Sequence, residues 1–389
     1  MIVAALTPPE YQVEIIDENV EPIDFVKNFD LVGITAMTQQ ATRAYEIADL
    51  FRARNCKVVI GGIHASILPE EAKAHADSVV IGEAENVWST LLGDYQSGNL
   101  SPFYKSREVV DLHKSPRPRY DLLINKQYSV IWVQASRGCP YNCSFCAASN
   151  IFGKAYRTKT IEQVIGEISE IKRLFGDIRI GFGDDNLLTS PFFSEELLTN
   201  LSSLNIRWAG QVDIGAAIND RLLALLKKSG CTFLFIGFES LDKTNLSNIN
   251  INKNKIDNIS AYPALINKIQ SFGIGVMGAF IIGFDNDDQT TFPRIRDFII
   301  DNNLYDSQIS ILTPIPGTDL RAKLSNENRI LATSWDNYTF FDVNFTHPKL
   351  SKVEIENGLL EIYKQTNSRE VYLRKLDFFK KVQKALIQG

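Results

Sequence analysis

The sequence has 389 residues, 44% of them apolar, and a formal net charge of −5. This length and composition are typical of a globular protein with more than one domain, and the negative charge gives no overall attraction to nucleic acid. No apolar run reaches the roughly 18 residues of a membrane span, and no signal-peptide pattern is seen. We therefore expect a cytoplasmic protein with no membrane span and no nucleic acid partner.

Strand-like and helix-like segments alternate over residues 1–105. The strand-like segments are Tyr11–Ile16, Leu31–Ile34, Lys57–Ile60 and Ser78–Ile81, and the helix-like segments are Thr42–Arg54, Pro69–Ala76 and Glu85–Tyr95. Such alternation predicts a parallel sheet with helices on both faces, whose ligands bind at the carboxyl ends of the strands. Those ends carry Thr35, Gly61, Gly62 and the pair Gly82-Glu83, and glycine there lets a ligand approach the backbone closely.

Residues 106–129 are predicted to form a linker. They include Pro116 and Pro118 with Arg117 and Arg119 interleaved, a pattern that favours an extended, exposed connector. The alternative is that one of these arginines binds a phosphate or carboxylate of a cofactor between two domains, since a guanidinium pairs with such groups bidentately.

Cys139, Cys143 and Cys146 are three of the five cysteines and have the spacing CxxxCxxC. Closely spaced thiolates suit soft metals and iron–sulfur clusters. Three thiolates leave one iron of a [4Fe-4S] cluster open to a substrate or cofactor. No further Cys or His follows closely, which disfavours structural zinc, and the absence of a secretory pattern disfavours disulfides. Cys56 and Cys231 lie beside apolar runs and are interpreted as buried small hydrophobes.

This motif follows the strand-like segment Val130–Ala135 and has Phe145 before its last cysteine, and it resembles that of the radical S-adenosylmethionine (SAM) superfamily. The resemblance implies that each cysteine binds one iron of a [4Fe-4S] cluster, that the fourth iron binds the amino and carboxylate groups of SAM, and that Phe145 lies near the adenine. It also implies cleavage of SAM to methionine and a 5′-deoxyadenosyl radical, driven by an external electron donor such as flavodoxin or ferredoxin. Arg137 is interpreted either as a surface cation or as a group that offsets the thiolate charge or binds a carboxylate.

The alternation continues through residues 130–318. The predicted strands are Val130–Ala135, Ile178–Phe182, Arg207–Val212, Phe233–Phe238, Gly275–Ile282 and Ser307–Leu312, with helices beginning near Ile161, Phe193, Asp220, Ile259 and Gln289. Six units suit a partial (β/α)6 barrel, which the resemblance implies, with its chemistry at the carboxyl ends of the strands. The polar and glycine residues at those ends are Gly183, Asp184, Asp185, Gln211, Asp213, Glu239, Ser240 and Gly283. By the resemblance they contact SAM, with Asp184 preferred for its amino group, although turns alone also favour such residues. The Asn- and Lys-rich stretch Asn245–Asn258 is interpreted as an exposed loop.

The segments YQVEIIDENVEP, DLVGITAMT, VVIGGIHAS and VVIGEAE resemble, in this order, the cobalamin-binding Rossmann domain of methionine synthase and of cobalamin-dependent radical SAM enzymes. The resemblance implies that Thr35, Gly61 and Gly62 flank the nucleotide tail of cobalamin. We interpret His64 as a loop residue rather than a cobalt ligand. Met1–Leu6 is typical of the end of a helix, and the family's first strand would precede it, so we expect a truncated domain.

Residues 319–389 contain five closely spaced aromatic residues and two predicted helices. The aromatic residues are Trp335, Tyr338, Phe340, Phe341 and Phe345, and the helices are Lys352–Gln365 and Ser368–Ile387. We expect the aromatic side chains to pack against the barrel, or alternatively to line an apolar substrate cavity.

Together these patterns predict an α/β protein with four parts. They are a truncated cobalamin-binding-type Rossmann domain (1–105), a linker (106–129), a radical SAM barrel (130–318) and an aromatic-rich, helical C-terminal segment (319–389). The resemblance implies cobalamin-dependent methyl transfer to an unactivated carbon of a small-molecule or lipid-like substrate. Two alternatives stay open: a cobalamin-independent radical SAM dehydrogenation, cyclisation or rearrangement, and a non-catalytic iron–sulfur or cobalamin-binding sensor.

Overall fold

The computed structural model describes residues 1–251, 257 and 259–388, and it contains two larger parallel β-sheets. This confirms the predicted α/β class. The stretch Asn245–Asn258 lies partly outside the described residues, and its first residues belong to a helix rather than to the expected loop. Asn245 is only 2% exposed there.

The first sheet has four parallel strands in the order β1–β2–β3–β4. Its part of the chain contains α1 (Ile2–Leu6), β1 (Leu31–Thr35), α2 (Ala41–Ala53), β2 (Lys57–Gly61), α3 (Gly62–Ile67), α4 (Pro69–His75), β3 (Ser78–Ile81), α5 (Trp88–Gln96) and β4 (Phe103–Lys105). Val58, Val59 and Ile60 of β2 are 2% exposed or less, as expected for a parallel strand covered on both faces.

The structure of this sheet differs from the prediction at two places. Tyr11–Ile16 forms no strand, because it pairs with no described strand and leaves β1 as the edge of the sheet. A strand requires a partner for its backbone N–H and C=O groups. Conversely, β4 was not predicted. It has only three residues, of which Tyr104 alone is buried, and it pairs in parallel with β3.

The second sheet has six parallel strands in the order β12–β11–β10–β9–β8–β5, and each lies within two residues of its predicted bounds. Its part of the chain contains β5 (Val130–Val133), β6 (Ser136–Arg137), α6 (Ala148–Phe152), β7 (Arg157–Thr158), α7 (Ile161–Phe175), β8 (Arg179–Phe182), α8 (Pro191–Leu201), β9 (Trp208–Val212), α9 (Asp220–Lys228), β10 (Cys231–Glu239), α10 (Lys243–Asn248), α11 (Tyr262–Ser271), β11 (Gly275–Ile282), α12 (Thr291–Asp301) and β12 (Asp306–Ile311). The sheet is open between β5 and β12, as in a partial barrel.

Residues 106–129, the predicted linker, connect the two sheets and are here called the connector. They are more buried than predicted. The connector contains two short 3-10 helices, Leu112–Lys114 and Tyr120–Leu123. Tyr120 is 1% exposed and donates a hydrogen bond to Glu167 on α7 over 3.1 Å. Arg119 forms a local ion pair with Asp121. The connector is therefore anchored in the barrel core rather than extended in solvent.

The C-terminal part adds α13 (Asp319–Asn326), α14 (Lys352–Thr366) and α15 (Arg369–Gln388). Helix α14 packs against α12 and β12. The hydroxyl group of Tyr363 on α14 donates to the carbonyl of Ile309 over 2.9 Å and accepts from its N–H over 3.0 Å. Further along β12, the N–H of Ile311 donates to the carbonyl of Phe340 over 2.7 Å. The C-terminal part thus supplies partners for backbone groups at the edge of the barrel sheet, from α14 and from the loop that contains Phe340.

Asp285, after β11, binds Lys323 on α13 over 2.8 Å and Arg329 over 2.7 Å. Partial burial raises the pKa of Asp285, but the hydrogen bonds from Arg329 and Lys323 outweigh burial and lower the pKa to about 2. Since the folded-state pKa lies below the unfolded value, this carboxylate stabilises the fold above pH 4 and loses that effect as the pH falls from about 4 to 2.

We expect Asp285→Asn to lower the free energy of unfolding at pH 7 by about 1 kcal/mol, a small value because the ions are partly solvated. The difference in free energy of unfolding between this variant and the unaltered protein should shrink as the pH falls. Urea titrations at pH 7, 4 and 3 would measure it. Asp377→Asn, which removes an exposed ion pair with Lys381 on α15, is the control. Equal acid sensitivity of the two variants would contradict the role of Asp285.

Candidate functional site

The three clustered cysteines lie on one loop at the carboxyl end of β5. Strands β6 and β7 pair antiparallel, with Arg137 opposite Arg157, and enclose residues 138–156, which we call the cysteine loop. Cys139, Cys143 and Cys146 are all partly exposed on it. The loop therefore presents three thiols at the rim formed by the carboxyl ends of β5 and β8–β12, which we call the barrel rim.

The other two cysteines are buried, as predicted. Cys56 is 7% exposed and Cys231 is 3% exposed. Burial raises the pKa of both thiols, and a thiol that stays protonated is a poor metal ligand. The contrast in exposure separates three candidate ligands from two structural residues.

The backbone of the cysteine loop is fixed from two sides. The N–H of Ser144 donates to the carbonyl of Ile249 over 2.9 Å, and the carbonyl of Ser144 accepts from the N–H of Leu320 on α13 over 2.8 Å. Phe145 and Cys143 pack against the barrel core. Elements distant in sequence thus hold the loop in place.

Gly138 begins the cysteine loop with φ +86°, and a Cβ at this position would lie 2.3 Å from the carbonyl oxygen of Ala155. Positive φ costs a non-glycine residue about 1–2 kcal/mol, and the clash adds to this cost. We expect Gly138→Ala to misplace the loop and to lower iron retention after anaerobic reconstitution severalfold.

Gly153 is the matched control for this substitution. It lies in the same loop with φ +78°, but a Cβ there would meet nothing within 4 Å. Gly153→Ala also strains the backbone of this loop, since φ +78° with ψ 171° is a conformation that glycine almost alone adopts, but it adds no clash, so it should retain more iron than Gly138→Ala. Equal iron contents in the two variants would show that the contact with Ala155 does not matter.

The two aspartates after β8 accept hydrogen bonds from the backbone where the cysteine loop begins. Asp184 is 3% exposed, and its carboxylate accepts hydrogen bonds from the backbone of Ala135 and from both the N–H and the hydroxyl of Ser136. Burial raises the pKa of Asp184 to about 6. Asp185 accepts from the N–H of Gly138. The prediction that Asp184 contacts a ligand directly is therefore not supported, because its carboxylate faces the protein backbone. Gly183 beside it is exposed.

Other predicted residues gather near the cysteines. Burial raises the pKa of Tyr141 on the loop, and the nearby charges of Asp213, Cys139 and Cys143 raise it further. Burial also raises the pKa of Tyr262, with contributions from Asp213 and Glu239. The ends of β9 and β10 therefore place two carboxylates on the cysteine-loop side of the barrel. Gln211, at the end of β9, is exposed.

Ser240 and Gly283 belong to a buried network that sequence reasoning missed. Asp287 accepts from the N–H groups of Gly283 over 2.8 Å and Phe284 over 3.0 Å, and from the side chain of Asn245 over 2.8 Å. Ser240 is 2% exposed and bonds the same Asn245. Asp287 and Asn245 carry no local motif, since only the fold brings them beneath the ends of β10 and β11.

The carboxyl edge of the first sheet is lined by glycine and hydroxyl groups. We call residues 35–37, 61–66 and 82–85 the first rim. Gly62 has φ +90°, and a Cβ there would lie 2.5 Å from Oγ1 of Thr35. An added Cβ atom at Gly82 would meet nothing within 4 Å. This open, glycine-lined edge, with Thr35 exposed, fits a bulky cofactor such as cobalamin.

His64 is neither in a loop nor at the surface. It lies in α3, is 2% exposed, and its Nε2 is 3.2 Å from Oε1 of Glu71. Burial lowers the pKa of His64. Trp335 packs edge-on against its ring, with ring centres 5.3 Å apart, and donates to the same Glu71 oxygen over 2.8 Å.

The C-terminal aromatic residues therefore divide between two partners. Trp335 contacts the first sheet's helices, contrary to the prediction that it packs against the barrel. Phe345, 1% exposed, packs in the barrel core as predicted, whereas Phe341 is 49% exposed.

Arg137 binds carboxylates of the protein itself. Its guanidinium lies 2.6 Å from Glu83 and 2.6 Å from Glu85, both on the first rim. The side chain of Arg137 is 9% exposed, so it is not a surface cation. The two rims thus meet beside the cysteine loop.

Among residues 1–251, 257 and 259–388, no group of three or more His, Cys, Asp or Glu side chains is arranged around a single metal-ion position. In an iron–sulfur cubane each cysteine binds a different iron, so its thiolates need not converge on one point. Three partly exposed thiols on one loop are the kind and number of protein donors that a cluster with one open iron takes.

No helix in the described part of the chain has both the length and the apolar character that crossing a membrane requires.

Two known protein families match separate parts of the chain. Residues 1–92 match the B12 binding domain family, and residues 133–299 match the radical SAM superfamily. Among curated proteins, bacteriochlorophyllide d C-12(1)-methyltransferase of Chlorobaculum tepidum is 32% identical, over 96% of this chain and 81% of that protein. The C-8(2)-methyltransferase of the same organism is 30% identical, over 96% of this chain and 86% of that protein.

Among solved structures, that of TsrM from Kitasatospora setae, a radical SAM methyltransferase with tryptophan substrate and a SAM analogue bound, is similar to this chain. Its TM-score is 0.70 at 15% identity, covering 88% of this chain and 79% of that chain. The TsrM structure with cobalamin and a [4Fe-4S] cluster has a TM-score of 0.67 at 14% identity, with the same coverage of 88% and 79%. These likenesses show that the two-part fold is shared.

Proposed function

This chain belongs to the family of radical SAM enzymes that carry a cobalamin-binding domain, and we propose that it methylates an unactivated carbon of an apolar small molecule. The observation that carries the proposal is that three partly exposed cysteines lie on a loop bound to the glycine-lined rim of the first sheet. When bound, the [4Fe-4S] cluster, SAM and cobalamin together supply a carbon radical and a transferable methyl group. The protein supplies binding and orientation.

Cys139, Cys143 and Cys146 would hold the cluster, because they combine soft thiolate donors with exposure. Phe145 would lie near the SAM adenine. The remaining SAM contacts would come from the barrel rim: Gly183, Asp185, Gln211, Asp213 and Glu239. Asp184, Ser240 and Gly283, which are all buried, would act by supporting that rim. The domain bounds 1–105, 106–129, 130–318 and 319–389 remain predictions.

Thr35, Gly61 and Gly62 would receive the nucleotide tail of cobalamin on the first rim. Their support is the open space beside Gly82 and the exposure of Thr35. Glycine at such positions allows a ligand to contact backbone atoms that a side chain would cover.

The substrate class is inferred from the relatives. Both bacteriochlorophyllide methyltransferases named above act, by name, on carbon positions of a pigment, and another relative is a hopanoid C-2 methylase of Rhodopseudomonas palustris at 25% identity. Large apolar ring systems are common to these names. We therefore propose a ring-containing apolar or lipid-like substrate, with a flavodoxin or ferredoxin as electron donor in a reducing cytoplasm.

The test is anaerobic reconstitution with iron, sulfide and hydroxocobalamin, followed by desalting and measurement of bound iron and cobalt. About four irons and one cobalt per chain, with methylated product from a chlorin or hopanoid probe, would support the proposal. Iron without cobalt would favour cobalamin-independent radical chemistry. Bound cofactors without any SAM cleavage would favour the sensor, and neither alternative is favoured by the relatives.

A further inference from the structure

Four charged side chains form a compact cluster where the two sheets meet, and no cofactor role accounts for them. Glu83 and Glu85 come from the first rim, while Arg137 and Arg157 come from β6 and β7. Arg137 lies 2.6 Å from each glutamate. Arg157 lies 3.0 Å from Glu83. We call these four residues the interface quartet.

The quartet is shielded from solvent. Side-chain exposures are 12% for Glu83, 10% for Glu85, 9% for Arg137 and 14% for Arg157. Ion pairs with so little exposure are screened weakly by salt, and removing one partner leaves a buried charge without compensation. Breaking such a pair therefore costs far more stability than breaking a surface pair.

The two arginines are at the base of the cysteine loop. Arg137 and Arg157 are register partners in the short β6–β7 pair, so each strand that enters or leaves the loop carries one of them. Arg157 also donates to the carbonyls of Phe152 and Val110, both over 2.9 Å. Arg137 donates to the side chain of Gln134 over 2.8 Å. Glu83 therefore fastens both ends of the loop at once.

The two glutamates are in turn connected to the glycine edge of the first rim. The hydroxyl of Ser66 donates to the carbonyl of Gly62 over 2.6 Å and accepts from the N–H of Gly82 over 2.8 Å. Gly82 directly precedes Glu83. Hydrogen bonds, one peptide bond and one ion pair thus connect the turn at Gly62 to Arg137, the residue before Gly138.

We propose that Glu83 and Glu85 are positioning residues that fasten the cysteine loop to the first rim and so set the electrostatic surroundings of the iron–sulfur cluster. The inference rests on the proposed function, because it assumes a cluster on this loop. The quartet contains two positive and two negative groups and is neutral as a whole. Removing one carboxylate leaves an excess positive charge two residues from Cys139, and positive charge favours the reduced, more negative form of the cluster.

The experiment compares the reconstituted full-length protein with Glu83→Gln and Glu85→Gln. Iron content, the electron paramagnetic resonance spectrum of the reduced cluster with SAM, and the cluster midpoint potential are measured for each. We expect iron content to stay close to that of the unaltered protein, the midpoint potential to shift upward, and the spectrum to change. Glu85 touches only one arginine of the quartet, so Glu85→Gln serves as the milder variant if Glu83→Gln does not fold.

The matched control is Glu21→Gln. Glu21 forms an ion pair with Lys126 in the connector, so this variant also removes a contact between the two parts of the chain, but away from the cysteine loop. Its potential and spectrum should match those of the unaltered protein. Unchanged potential and spectrum in both Glu83→Gln and Glu85→Gln, with iron bound, would overturn this inference alone. Absence of iron from the unaltered protein would overturn the proposed function and this inference with it.

Discussion

Replacing Cys143 by alanine is expected to abolish reductive cleavage of SAM. Cys143 is the middle residue of the three clustered cysteines, and with only two thiolates left, two irons of the cluster would lack a protein ligand. The neighbouring backbone is held through Ser144 by Ile249 and Leu320, so the loop should keep its course without the thiol. Bound iron should fall to the level of protein that was not reconstituted, and 5′-deoxyadenosine formed with dithionite and SAM should fall to background.

Cys231→Ala is the control for this experiment. Cys231 is 3% exposed in β10 and lies in the barrel core. Removing one small buried group costs stability but no ligand, so this variant should bind iron and cleave SAM like the unaltered protein. If Cys143→Ala kept both iron and cleavage, the assignment of the cysteine loop as the cluster site would be wrong.

Replacing Lys159 by methionine is expected to lower the free energy of unfolding by about 3–5 kcal/mol, the cost of leaving one member of a buried ion pair without its partner. Lys159 and Glu167 are each 3% exposed and lie 2.6 Å apart. Burial raises the pKa of Glu167 even with Lys159 beside it. Without the lysine this pKa rises further, so the loss of stability should be smaller at pH 5 than at pH 8, because acid favours the uncharged carboxyl group, which needs no cation beside it.

Urea titrations of the protein without cofactors at pH 5 and pH 8 measure this effect. Lys381→Met removes an ion pair of the same charge type whose side chains are 75% and 65% exposed, and it should change stability by less than about 1 kcal/mol. The double variant Lys159→Met, Glu167→Leu removes both charges and should recover much of the lost stability. Similar stabilities of the Lys159 and Lys381 variants would show that the buried pair has no structural importance.

Much of the fold could be predicted because parallel strands are short apolar runs between helices of clear periodicity. The strands from Val130–Val133 to Asp306–Ile311 follow this pattern. Tyr11–Ile16 has the same composition but forms no strand, because strand formation depends on a neighbouring strand that local sequence does not report. The β-propensity of a segment says that its side chains suit a pleated sheet, but it does not say whether another strand lies beside that segment.

The candidate site could be predicted only where the residues that act together are also close together in the sequence. The cysteine spacing identifies the loop, since three thiolates within eight residues have few other uses. The direction of Asp184 was not predictable, because a carboxylate at the end of a strand can face either solvent or backbone. Glu83 and Trp335 could not be assigned either, since their partners Arg137 and Glu71 are far away in sequence. Contacts between the two parts of the chain appear only when both are folded.

The contact of Tyr363 with Ile309 bears on how the molecule behaves in solution. An uncovered edge strand presents N–H and C=O groups on which another chain can build a further strand, and this is a common route to aggregation. Here one hydroxyl group occupies both the donor and the acceptor of Ile309, so an incoming strand would have to displace α14 first. The last helices therefore help to keep the open barrel sheet from extending into a neighbouring molecule.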